Sequence, residues 1–404
     1  MQDLAGKRIV VGMTGGIACY KIAELVRRMQ DHGATVDVVM TEAATHFMPA
    51  VTMQALSGRP VFVSQWDDRI PNNMAHITLS RGADAILIAP ASTDFLAKLA
   101  HGMADDLLST LCIARSCPLA VVPAMNREMW ANPATQRNAR QLAQDGITLF
   151  GPDEGSQACG ETGSGRMLEP DAILADLIAF FQPKVLAGKH LVITAGPTQE
   201  PIDPVRVLSN LSSGKTGYAL AQAAREAGAR VTLVSGPTAL PAPRGVERVD
   251  VLTARQMLDA VNAHLSGSDV FIAVAAVADW RVADPSTQKL KKSTHGLADL
   301  SFVENPDILA TVAARPDAPY CVGFAAETEN LETYAEKKRR RKGIPLLIGN
   351  LAQQALGANS STLVLFDEHG IHPLPTLPKL ASARHLVGEI AKRLAAHPRS
   401  SHET

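Results

Sequence analysis

Cysteine is scarce in this chain of 404 residues, and the five present, Cys19, Cys112, Cys117, Cys159 and Cys321, are odd in number and include no Cys-x-x-Cys pair. That pattern argues against a disulfide framework or a thiolate zinc site and fits a reducing cytoplasm. Net charge is nearly absent too. A formal value of −1 gives no general electrostatic footprint for nucleic acid, so no nucleic-acid partner is expected despite one local basic run. No apolar stretch is long enough to span a membrane and no charged-then-apolar leader is seen, so no membrane partner is expected either. Two nucleotide signatures are also missing. Gly12, Gly15 and Gly16 do not fit G-x-G-x-x-G, and Thr41 stands where a ribose-binding acid would follow the second strand, which favours a mononucleotide over NAD. Gly214-Lys-Thr216 looks like the end of a P-loop, but Ser209 occupies the place of its first glycine and the preceding strand lies too far upstream.

What is present, 46% hydrophobic residues over 404, suffices for two substantial cores. Residues 8–13 read as an apolar strand and Thr14-Gly15-Gly16 as a glycine turn. Ile22, Leu25, Val26 and Met29 follow at helical spacing, so backbone N–H groups at a helix start can receive a phosphate. A strand at 85–88 leads to Ser92 and Thr93, whose hydroxyls suit a phosphate or flavin contact or, equally, a helix N-cap. Another apolar strand, 119–122, is closed by Pro123 and places Asn126 just beyond its carboxyl end, where α/β sheets hold ligands. An amide there can bind a carboxylate or simply cap a helix. Gly160-Glu-Thr-Gly-Ser-Gly165 lacks an apolar period and reads as a flap able to carry Cys159 over a substrate.

A boundary is expected near 181–188. Residues 173–181 carry an apolar helical stripe before it, and a new strand starts at His190 after it. Further strands at 230–234, 269–275, 320–324, 346–348 and 363–366, with a helix at 218–227, predict a second α/β unit with a mostly parallel, doubly wound sheet. The domains are therefore expected at 1–183 and 189–396, with a polar, disordered tail at 397–404. In the second half, Asp203-Pro-Val-Arg206 and Ser209-Asn-Leu-Ser-Ser-Gly-Lys215 offer donors suited to phosphate and carboxylate groups. Asp279 lies beyond an apolar strand where a carboxylate can hold Mg²⁺, and Lys289-Leu-Lys-Lys292 supplies cations. Lys338 and Lys342, four apart in the basic run 337–342, share a helical face and can clamp one triphosphate; a solvated face is the plain alternative.

Taken in order, these tracts resemble the flavin-dependent cysteine decarboxylases, and most specifically the bifunctional bacterial coenzyme A enzymes that join phosphopantothenoylcysteine decarboxylase to phosphopantothenate–cysteine ligase. In the first half the likeness is carried by Gly15-Gly-Ile-Ala-Cys-Tyr-Lys21, Asn73-Met-Ala-His76, Ala89-Pro-Ala-Ser92, Pro123-Ala-Met-Asn126, Ala158-Cys-Gly160 and Gly163-Ser-Gly-Arg-Met167. In the second it is carried by Ser209-Asn210, Ser212-Ser-Gly-Lys215, Ala275-Ala-Val-Ala-Asp279, Lys289-Leu-Lys-Lys292, Asn305-Pro-Asp-Ile308 and Gly323-Phe-Ala-Ala-Glu-Thr328.

The resemblance implies two Rossmann-like domains, a flavodoxin-like FMN domain followed by a nucleotide-dependent ligase domain. By it, His76 belongs to the active site, Asn126 binds the substrate carboxylate and Cys159 donates a proton, with Gly15, Gly16, Thr41, Ser92 and Thr93 near FMN. It further implies that CTP with Mg²⁺ activates 4′-phosphopantothenate as an acyl-cytidylate, which cysteine then captures. Asn210 would contact the intermediate. Asp279, Lys289, Phe324, Lys338 and Lys342 would bind CTP, with Pro306, Asp307, Ile308 and Leu309 beside it. The conjugate, 4′-phosphopantothenoylcysteine, would lose its carboxylate in the flavin domain to give 4′-phosphopantetheine. Direct loss of CO₂ would leave an unstabilised carbanion, which is why a flavin electron sink is needed. A homo-oligomer of flavin-domain trimers and ligase-domain dimers is implied as well.

Overall fold

The computed structural model describes residues 2–67, 69, 74–290, 300–327, 331–351 and 360–397. Asn73, Lys291, Lys292, Thr328 and positions 398–404 of the expected tail lie outside the described residues. The chain divides into two compact units, Met1–Phe181 and Gln182–Thr404.

In the first unit the apolar runs become strands buried on both faces, as parallel sheets covered by helices require. The sheet runs in the spatial order Val61–Phe62, Thr35–Met40, Arg8–Met13, Ala85–Ala91, Leu119–Pro123, Thr148–Leu149, with every pairing parallel. Numbered along the chain this is 3-2-1-4-5-6, the dinucleotide-fold order, which differs from the 2-1-3-4-5 order of flavodoxin-type sheets. The helix Tyr20–Asp31 packs on it through Ile22, Leu25, Val26 and Met29 and stops before Gly33, whose φ of +89° only glycine adopts without strain. The connection reverses between Arg8–Met13 and Ala85–Ala91, and the crevice beyond their carboxyl ends is where such folds bind ligands.

The second unit repeats that order with an addition. Glu247–Asp250, Arg230–Ser235, His190–Ala195, Val270–Ala273, Tyr320–Glu327 and Leu346–Leu351 are parallel, and Val364–Asp367 and Gly370–Pro373 extend the edge antiparallel. Both halves are thus doubly wound α/β, as the strand pattern predicts. Leu186, within the stretch expected to hold the boundary, is buried in the second unit's core, and its N–H donates to Ala227 O at 2.9 Å. The C-terminal helix Lys379–Ala396 is tied to the helix Lys215–Glu226 by Arg384, which donates to both oxygens of the buried Glu226 carboxylate at 2.6 and 3.1 Å.

The segment expected as an irregular flap is an antiparallel hairpin, Asp153–Ser156 with Thr162–Arg166. Its exposed, glycine-rich strands carry no apolar alternation, so periodicity could not reveal them. Gly165 lets it approach: with φ +122°, a Cβ there would lie 2.7 Å from Met125 O, and Met125 N donates to Gly165 O at 2.9 Å. Among the described residues no helix is long and apolar enough to cross a membrane.

Candidate active sites at the two switch points

A cavity of about 590 Å³ opens at the first crevice. The turn after Arg8–Met13 contributes Gly15 and Gly16, the end of Ala85–Ala91 contributes Ser92 and Thr93, and the end of Leu119–Pro123 contributes Met125 and Asn126. Thr14, buried beneath, donates to Pro90 O at 2.7 Å and accepts from Ser92 N at 2.9 Å, locking the two loops together. Ser92 caps the helix Thr93–Ala100, accepting from Phe95 N at 3.2 Å, while Thr93 Oγ1 donates to Met125 Sδ at 3.2 Å.

Of the two alternatives read from the sequence for Asn126, the structure shows the helix cap. Its Oδ1 accepts from Glu128 N at 2.8 Å and so caps the helix Arg127–Ala131, which leaves Nδ2 to face the hairpin. There Nδ2 lies 3.4 Å from Cys159 Sγ, 3.5 Å from Gln157 Oε1 and within hydrogen-bond reach of Glu161. Cys159 is exposed and its Sγ lies 3.7 Å from Glu161 Oε2. An amide donor, a thiol and a carboxylate therefore converge on the cavity mouth. His76, half-buried on the helix Ala75–Arg81, does not line this cavity, nor does Thr41, which caps the short helix Glu42–Thr45 by accepting from Ala44 N.

Lys21, quoted only within a motif, lines the cavity although it is just 6% exposed. Its ammonium donates to Met167 O at 3.1 Å and Glu169 Oε1 at 2.8 Å, and this bond, ahead of Arg166, holds the Glu169 carboxyl below the usual range. The signal was legible, since Lys21 falls one turn before Leu25 on the helix's buried face.

The second crevice holds two neighbouring cavities that share Ala275 and Phe324 as a common wall. One, of about 490 Å³, is lined by Asp279, Pro306, Asp307, Phe324, Lys338 and Lys342 among others, with Ile308 and Leu309 at its floor. Lys342 Nζ sits 2.9 Å from Asp307 Oδ1, and the same oxygen accepts from Ala310 N at 3.0 Å, capping the helix Ile308–Ala313. Burial works to raise the Asp307 carboxyl, but the Lys342 ammonium and the helix N–H outweigh it and hold it below the usual value. The basic run lies on the helix Leu331–Lys342 and is largely engaged: Arg339 and Arg340 both pair with Glu336, pulling its carboxyl down to about 2.

The other cavity, of about 610 Å³, is lined by Gly196, Asn210, the loop 211–214, Lys215 and Lys379. Asn210 Nδ2 donates to Ala276 O at 2.5 Å and its Oδ1 accepts from Ser212 N at 3.1 Å, so it braces the loop against the strand end. Lys289 is exposed and lines neither cavity. Asp279 is exposed at the edge of the first of the two, and among the described residues no cluster of three or more His, Cys, Asp or Glu is placed to hold a metal. Lys379 was missed because it lies more than 160 positions from the loop 210–217 that it joins, at the head of an otherwise ordinary helix.

Residues 1–182 match the flavoprotein family, and residues 186–394 match the C-terminal domain of the DNA/pantothenate metabolism flavoproteins. The coenzyme A biosynthesis bifunctional protein CoaBC of Vibrio cholerae is 50% identical, over 96% of this chain and all of that protein. Its counterpart in Escherichia coli K12 is also 50% identical, over 97% and 98%. A crystal structure of the C-terminal domain of a coenzyme A biosynthesis bifunctional protein is 39% identical, covers 53% of this chain and 99% of that one, and superposes with a TM-score of 0.46. The chain belongs to the family of coenzyme A biosynthesis bifunctional proteins, enzymes that carry a ligase and a decarboxylase in one polypeptide.

Proposed function

We propose that the second unit joins 4′-phosphopantothenate to cysteine at the expense of CTP, and that the first unit, holding FMN, decarboxylates the resulting 4′-phosphopantothenoylcysteine to 4′-phosphopantetheine. The observation that carries the ligase reading is the pair of cavities sharing Ala275 and Phe324: a triphosphate held by Lys338 and Lys342 and an acid held beside Asn210 would meet across that wall. Asp279 stands where it can share Mg²⁺ with nucleotide phosphates, since that ion usually takes only one or two protein carboxylates and leaves the rest to phosphate and water. Asn210 orients the activated acyl group, and Lys289, which lies outside both recesses, would have to swing in with the 286–290 segment to meet developing phosphate charge.

The first cavity suits a flavin: apolar groups such as Ile17, Ala124, Met125 and Met129 can sandwich a planar ring, and Gly15 lets the turn at its edge pack on the helix Glu42–Thr45, since a Cβ there would lie 2.7 Å from Ala43 Cβ. The bound flavin supplies an electron sink for loss of CO₂. Asn126 holds the departing carboxylate without burying an opposed charge, and Cys159 returns a proton to the carbon skeleton while the hairpin shields it from water. The exposed Ile17, Tyr20 and Met129 at the cavity rim support completion of this site in a homo-oligomer, His76 joining it from a neighbouring copy. The protein works in the cytoplasm, where its thiols stay reduced.

The test is to incubate the purified full chain with 4′-phosphopantothenate, cysteine and CTP, recording the flavin spectrum and the product masses. A CTP-dependent cysteine adduct followed by loss of CO₂ is expected; turnover without CTP, or a colourless protein, defeats the reading.

A further inference from the structure

We propose that Glu161 competes with the substrate's carboxylate for the Asn126 amide and so sets how tightly the first cavity holds an acid; the assignment rests on the decarboxylase reading of the first unit. Asn126 has little left to offer. Its Oδ1 is committed to the cap at Glu128 N, which leaves the N–H groups of Nδ2 as the donors that face the hairpin. Gln157 Oε1 lies 3.5 Å from Nδ2 and the Cys159 Sγ, a weak acceptor, 3.4 Å, whereas the Glu161 carboxylate takes the short, charge-assisted bond. A substrate carboxylate that binds this amide therefore has to take the position Glu161 holds. Two carboxylates do not share it well, because like charges at that separation repel.

The exchange asks only a side chain to move. The hairpin is held on the strand end by bonds outside the Glu161 side chain: Met125 N donates to Gly165 O at 2.9 Å, Arg127 N to Gln157 Oε1 at 3.0 Å and Gln157 N to Glu161 O at 2.8 Å. The Glu161 side chain is 42% exposed, and a second partner stands beside it, since Arg127 Nε lies 3.8 Å from Glu161 Oε2. Arg127 also pairs with Glu128 at 3.0 Å and donates to Thr162 O at 3.3 Å, so its guanidinium is steadied where an evicted carboxylate can land. The decarboxylated product has no carboxylate with which to claim the amide. Glu161 therefore opposes binding of the acid and is indifferent to its product.

The experiment uses full-length, flavin-bound Glu161→Ala and Glu161→Gln and follows two ligands by titration calorimetry. One is 4′-phosphopantothenoylserine, which keeps the carboxylate but has no thiol to oxidise; the other is 4′-phosphopantetheine, which has no carboxylate. Glu161→Ala should bind the serine analogue about three- to tenfold more tightly, the worth of a charge-assisted bond discounted for its exposure, while 4′-phosphopantetheine binds as it does to wild type. Glu161→Gln keeps an acceptor but loses the charge, and should show a smaller gain of the same sign. The KM for 4′-phosphopantothenoylcysteine supplied from outside should fall with the same ranking. Asn126→Ser keeps a helix cap but removes the amide, and in that background Glu161→Ala should leave binding of the serine analogue unchanged. Unchanged or weaker binding of the serine analogue to Glu161→Ala, or equal tightening of both ligands, overturns the assignment. If wild type decarboxylates the conjugate while those binding results fail, the role of Glu161 alone falls; if wild type does not decarboxylate it, the decarboxylase reading falls as well.

Discussion

The Asp203 carboxylate accepts a hydrogen bond from the backbone N–H of Leu290, 3.2 Å away and 87 positions along the chain. The same side chain accepts from Val205 N at 2.8 Å and Arg206 N at 2.9 Å, and Arg206 in turn donates to Leu290 O at 3.3 Å. Leu290 follows Lys289 directly, so this bracket fixes the base of the segment that carries that lysine. Asp203→Asn keeps the size but loses the charge and one acceptor oxygen. Ligation should slow through kcat, while 4′-phosphopantothenoylcysteine supplied from outside should still be decarboxylated at the wild-type rate. Equal loss of both activities would point to general damage. The pH sign follows from the carboxyl's direction: burial raises it, but the backbone donors outweigh burial and hold it below the ordinary value. The bracket is therefore complete at neutral pH and fails only as pH falls through that depressed value, below the usual carboxylate range of about 4.

Cys159→Ser retains shape and removes the acidic proton donor that faces Asn126. Decarboxylation should proceed while protonation fails, lowering the yield of 4′-phosphopantetheine by roughly 10²- to 10⁴-fold and leaving an enethiol detectable by mass. Wild-type yield of the saturated product would remove Cys159 from this role.

Lys342→Gln breaks the pair with Asp307 and takes a cation from the nucleotide cavity. Titration calorimetry with CTP should show binding weakened about ten- to a hundredfold. Asp307→Ala should cost the unit about 1 kcal/mol through the lost helix cap, visible as an earlier denaturant midpoint.

Arg384→Ala would strand the Glu226 carboxylate, which is 3% exposed. Leaving a buried charge without its partner should destabilise the second unit by about 3–5 kcal/mol, whereas the double change Arg384→Leu, Glu226→Leu should recover much of it. Thermal unfolding of the three proteins measures both effects.

We expect a fragment beginning at Gln182 to fold and retain CTP-dependent ligation without binding flavin. One beginning at Lys189 lacks Leu186, a residue buried in the second core, and should be less stable by about 1.5–3 kcal/mol. Loss of ligation in the folded longer fragment would show that the two activities are not separable.

The sheets were legible because buried parallel strands are nearly continuous apolar runs: 8–13, 85–91 and 190–195 stand out from their neighbours. Candidate positions at strand ends followed from the same logic, and Asn126, Ser92 and Asp279 do line cavities. The hairpin that carries Cys159 left no period to detect, and Lys379 reaches its cavity only through packing of the last helix on Lys215–Glu226. Lys289 illustrates the opposite case: its motif was plain, but the structure leaves it exposed and outside both recesses.

The repeated strand order, 3-2-1-4-5-6 in each unit, means that one scaffold is used twice within a single polypeptide. In the first copy the crevice is dressed in methionine, alanine and isoleucine, and in the second in lysine, serine and asparagine. The sheet thus behaves as an indifferent frame, and the division of labour between electron chemistry and phosphate chemistry is written in the short loops that leave its upper edge.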